Sequence, residues 1–138
     1  EILFDRYYRP YHRRLSQCAG AAKLGVDCHT MAAVGPPSAS DAGCDRPEIC
    51  LSNAFRTCPQ DWFDKLLYFF EESFGCEVSV DRPFKGGHIV RSHSRELPWV
   101  QTELSRARFL ENAEKRKRVL KALTLFCTSA LDNQADPQ

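Results

Sequence analysis

Apolar positions in this chain recur in steps of three and four over three stretches and alternate over shorter ones between them. That pattern predicts helices interleaved with short strands. Phe4, Tyr8, Tyr11, Leu15 and Cys18 form one stripe, so residues 5–23 are expected to be helical, with Pro10 tolerated in the first turns. Trp62, Leu66, Phe69 and Phe70 mark a second helix, opened at Pro59 and stopped at Gly75, with Thr57 and Asp61 offering capping and a favourable charge at its start. Val119, Leu120, Leu123 and Phe126 are the expected buried stripe of a third, over residues 111–131. Strands are expected at 24–28, 48–52, 76–80, 88–91 and 99–104. The Gly, Pro, Ser and Asp content of residues 32–45 predicts a loop. Helices alternating with strands point to a layered α/β domain.

Composition narrows the function classes. With 138 residues, 43% of them hydrophobic, the chain is long enough for one domain with its own core. Lys and Arg number 19 against 18 Asp and Glu, a net charge of +1 that gives no bulk attraction to nucleic acid or to a membrane surface. The basic run Lys115–Arg118 lies beside Glu111 and Glu114 and is read as a solvated helix face, so neither a nucleic-acid nor a membrane partner is expected. No apolar run is long enough to cross a bilayer, and the first residues do not form a secretory signal. Seven cysteines without a CxxC pair argue against a zinc knuckle and for free thiols in a reducing cytoplasm, with a disulfide among Cys44, Cys50 and Cys58 left open. The chain opens on Glu1 with helical character already established, so it is expected to be a piece of a longer protein. Oligomeric state is not legible.

Three motifs carry candidate chemistry. Arg82-Pro83-Phe84-Lys85-Gly86-Gly87 precedes a β-branched run, and a Gly-Gly pair lets backbone approach a ligand closely. Arg82, Lys85 and Arg91 gather around it, and a guanidinium suits bidentate capture of a carboxylate, which fits a small anionic substrate. Glu103 stands among neutral neighbours on a strand, where a carboxylate needs a partner, a metal or a catalytic task. It is a general-base candidate, or an ion-pair partner for Arg91 or Arg106. His29 follows Asp27 at the expected carboxyl end of a strand, the edge where open α/β sheets bind ligands. Its imidazole can ligate zinc while Asp27 orients the other ring nitrogen. His93 is placed on a turn, either reaching substrate or solvated.

Tyr8-Arg9-Pro10-Tyr11-His12, Val26-Asp27-Cys28-His29-Thr30-Met31, Pro83 through Arg91, and Val100-Gln101-Thr102-Glu103-Leu104-Ser105-Arg106 occur in an order that resembles the N-formylglutamate amidohydrolase family. The resemblance implies a three-layer αβα domain with a mixed sheet, like the zinc exopeptidases and phosphorylase-hydrolase folds, truncated here at its N-terminus. Residues 1–131 would be the C-terminal part of a single amidohydrolase domain and 132–138 a polar tail. It implies hydrolysis of the amide of an N-formyl or N-acyl amino acid by a water on a divalent metal, zinc first. His29 would be a metal ligand and Glu103 the general base. Arg91, Lys85, Gly86, Gly87 and Arg82 would bind substrate, and Asp27 would support His29. The remaining ligands would lie upstream of Glu1. The chain departs from the family pattern at Asp81, at Ser92-His93-Ser94 and at Trp99. The rival expectation is a non-catalytic anion-binding or scaffold module with an incomplete metal site.

Overall fold

A computed structural model describes residues 1–132; most of the expected polar tail (133–138) lies outside the described residues. A π-helical turn at Phe4–Tyr8 runs into α1 (Arg9–Ala19), followed by β1 (Gly25–Met31), β2 (Ile49–Ser52), α2 (Gln60–Phe74), β3 (Ser79–Val80), α3 (His88–His93), β4 (Trp99–Ser105) and α4 (Asn112–Asp132). The four strands form one mixed sheet in the order β1-β4-β2-β3, with β4 parallel to β1 and antiparallel to β2. Helices α2 and α4 cover one face, and α1 and α3 pack on the other, which gives the αβα layering that the resemblance implied.

The main core lies under α2 and α4. Phe63, Leu66, Phe70 and Phe74 recur at helical spacing along α2 and meet Ile49 and Leu51 of β2, Val100 of β4, and Ala122 and Phe126 of α4. A smaller cluster of Val90, Leu97 and Trp99, with Leu15 and Ala19 beside it, holds α1 and α3 to the opposite face. Gly25 lies directly across from Trp99 in the β1–β4 pair, and a Cβ there would sit 2.2 Å from the indole, so only glycine lets the ring lie flat over β1.

Several expectations need correction. Residues 88–91 form the start of helix α3 rather than a strand: Ile89 and Val90 have β-propensity, but burying Val90 completely against Leu97 and Trp99 outweighs it. The strand expected over 76–80 shortens to Ser79–Val80, and β1 continues to Met31, which puts His29 inside a strand instead of past its end. Thr57 does not cap α2; its hydroxyl turns to Asn53, and Pro59 occupies the cap position. Leu120 is 53% exposed, because the buried face of α4 runs through Lys115, Val119, Ala122 and Phe126. The basic run is therefore not wholly solvated: the Lys115 ammonium is buried and donates to the carbonyls of Ser105 and Ala107. Arg118 donates to Glu114 and to the Phe74 carbonyl. All seven cysteines are free thiols, and no described helix is long and apolar enough to cross a membrane.

Candidate functional site

Strand β4 alternates its side chains between the two helical layers. Val100, Thr102 and Leu104 point toward α2 and α4, and Gln101 and Glu103 point the other way. Register then extends that second row across the sheet. Glu103 lies between His29 of β1 and Cys50 of β2, and Gln101 lies between Asp27 and Ser52. Six chemistry-bearing side chains thus share one sheet face in two rows of three.

Gln101 organises the rows. Its Nε2 donates to the Glu103 carboxylate at 2.9 Å, and its Oε1 accepts the backbone N–H of Gly87. A Cβ on Gly87 would come within 2.9 Å of that oxygen, so glycine is what allows the loop this close. Ser52 donates to the Phe84 carbonyl at 2.8 Å, fixing the same loop from β2.

Glu103 is 5% exposed, and burial pushes its carboxyl above the usual carboxylate range, with Asp27 adding to the shift. His29, the Gln101 amide and Arg46 act in the opposite sense and keep the ionised form within reach. A carboxylate raised by burial yet steadied by a donor holds a proton more readily than a solvated one, as a group that takes up and returns a proton must. Beside it, Asp27 meets His29 at Oδ1–Nε2 2.9 Å, and the His29 side chain is half exposed. The structure therefore brings Asp27, His29 and Glu103 onto one surface.

The cations divide. Arg91 is exposed; its Nε donates to the Gly87 carbonyl at 3.1 Å, and its guanidinium lies over the Phe55 ring. Arg82 and Lys85 are exposed on the loop before Gly86. Neither Arg91 nor Arg106 pairs with Glu103 as one expectation held, since Arg106 reaches instead to the carbonyl and hydroxyl of Thr30. His93 belongs neither on a turn nor in solvent: it is buried in α3, between His12 and Glu96.

Sequence reasoning missed Arg46. Its guanidinium grips Asp41 through two bonds of 2.6 and 2.8 Å, stacks over Phe84, and contributes positive charge at Glu103. No periodicity flags two residues five apart in an irregular loop. Cys50 and Ser52 were also missed, although alternation along β2 separates them from Ile49 and Leu51.

A catalytic zinc takes three protein ligands as a rule. Among the described residues, no group of three or more His, Cys, Asp and Glu side chains is placed to hold a metal. Asp27 is spent on His29, so the donors present amount to one corner of such a site and do not fit a metal by themselves.

Comparison with known proteins adds three findings. Residues 1–110 match the family described as N-formylglutamate amidohydrolase. The crystal structure of N-formylglutamate amidohydrolase from Ralstonia eutropha JMP134, at 2.00 Å resolution, superposes with a TM-score of 0.67 at 20% identity over 90% of this chain. The present chain spans 51% of the length of that protein. No curated protein matches the sequence.

Proposed function

Since this chain belongs to the N-formylglutamate amidohydrolase family, a family of amide-cleaving enzymes, we propose that it carries the proton-handling face of a hydrolase acting on an N-formyl or N-acyl amino acid such as N-formylglutamate. The observation that supports this most is the buried, donor-steadied Glu103 on the face it shares with His29, linked through Gln101 to the Gly86–Gly87 loop. In this reading Glu103 takes the proton from an attacking water and returns it to the departing amine nitrogen. Gln101 sets the orientation of the carboxylate and places the loop. Arg91, Lys85 and Arg82, on or beside that loop, attract the substrate carboxylate. Their exposure suits the capture of a solvated anion more than its final orientation.

A divalent cation, zinc first by the family resemblance, belongs to the proposal only as a group toward which this chain offers the single donor His29, steadied by Asp27. No step above runs through it.

The second reading, an anion-binding or scaffold module without turnover, draws on the lack of a three-ligand group among the described residues. The two part on one experiment. Release of amine from N-formylglutamate that falls in Glu103→Gln supports the hydrolase. Saturable binding of the same compound without turnover supports the module.

A further inference from the structure

Three of the four histidines in the chain meet where α1 crosses α3. His12 Nδ1 and His93 Nε2 are 2.7 Å apart, and the two rings are nearly parallel with centroids 4.9 Å apart. The other nitrogen of His93, Nδ1, is 2.8 Å from Glu96 Oε2. His88 stands edge-on to His12, with its Nε2 2.6 Å from the Tyr8 hydroxyl. Ser16 of α1 donates to the second Glu96 oxygen. Beside these polar contacts, the apolar packing of α1 among the described residues runs through partly buried Leu15 and Ala19, and none of its residues is buried.

Proton counting fixes how the bridge behaves. The Glu96 carboxylate can only accept, so His93 carries its proton on Nδ1 and presents a bare Nε2 to the Nδ1–H of His12. One added proton is tolerated, because it can sit on the free Nε2 of His12 while Nδ1–H still donates. A second proton puts donors on both sides of the 2.7 Å contact and makes two parallel rings cationic at once. We propose that the His12–His93–Glu96 bridge is a pH-operated latch, which docks α1 on α3 while it holds no more than one extra proton and releases the helix when it takes a second.

The surroundings of the bridge are consistent with an opening in mildly acidic solution. It meets Tyr8 at the end of the π-helical turn, Tyr11 and Ser16 on α1, His88 on α3, Glu96 after α3, and the uncharged Trp99 ring on β4. Burial holds His12 below the ordinary histidine value, and His93 and His88 add to that, while Glu96 works against it. A lowered folded pKa means that the unfolded or undocked form binds the extra proton more readily. Docking is therefore fully favoured above about pH 6.5, weakens as the pH falls through the lower folded value of His12, and is lost when the second proton enters.

Amide hydrogen exchange of the 138-residue chain, corrected for intrinsic rates, tests this. Between pH 7.5 and 5.0, α1 protection is expected to drop at least tenfold with α2 and α4 unchanged, and the drop should vanish in His12→Gln. Uniform protection of α1 across that range, or the same drop in His12→Gln, would overturn the latch. Side-chain 15N spectra of the unaltered chain give an independent reading. The bridge as a unit should take up its two protons in separate steps, the second coinciding with loss of α1 protection. A docked α1 with both rings charged would refute the proposal.

Discussion

Gln101 donates to Glu103 from two residues back along the same strand, with 2.9 Å between Nε2 and Oε1. Adjacent positions of one strand face are where β-structure brings side chains side by side, and here that spacing gives a buried carboxylate a side-chain donor. Replacing Gln101 by Met keeps the volume but leaves Glu103 and the Gly87 N–H without their partner. A loss of about 1–3 kcal/mol in urea unfolding at pH 7 is expected. Gln101→Glu should cost more at pH 7 than at pH 4.5, because only the higher pH places two ionised carboxylates together.

Glu103→Gln should stabilise the fold at neutral pH by about 1 kcal/mol, as removal of a strained functional group commonly does. The sign follows from its raised carboxyl. The folded state holds the Glu103 proton to higher pH than the unfolded state does, so this group withdraws stability as the pH rises from about 4.5 through its folded value. Unfolding midpoints of the two proteins should converge at the acid end of that window and separate toward pH 7. Parallel curves would show that Glu103 ionises as an ordinary carboxylate.

Gly87→Ala places a methyl 2.9 Å from Gln101 Oε1 without demanding an unusual backbone angle. The loop should withdraw from β4 at a cost of about 1–3 kcal/mol. The Gln101 side-chain amide resonances should shift in the same variant, while those of α2 and α4 hold still.

Lys115→Met tests a charge buried for structural reasons. The variant abandons the carbonyls of Ser105 and Ala107 and the contact of the ammonium with the Phe109 ring. About 1–3 kcal/mol should be lost on chemical denaturation. The neighbouring exposed Lys117→Met should change stability by less than about 0.5 kcal/mol.

Much of the fold was legible in the chain, and the particular failures have physical reasons. The α2 helix announces itself through Pro59, its apolar spacing and Gly75. The β4 strand shows because Trp99–Ser105 is buried almost throughout and follows a proline. Residues 88–91 misled because a six-residue helix is held by tertiary burial of Val90, which local propensity cannot report. Asp27 and Glu103 stood out as polar residues on strands, and His29 as one at the end of a strand that in fact continues to Met31. That Cys50 and Ser52 join them depends on register between β2 and β4, which one sequence does not display. The His12–His93 pair is separated by 81 positions and leaves no local trace.

The central claim is that Glu103 moves the proton in amide hydrolysis. The most direct measurement is amine release from N-formylglutamate, with zinc supplied, by the longest polypeptide that the open reading frame encodes, compared with its Glu103→Gln variant. The account predicts turnover that falls about 10²–10⁴-fold in the variant, the usual contribution of a positioned general base, with KM changed little. Equal rates in the two proteins, or no release of amine by the unaltered one, would contradict it.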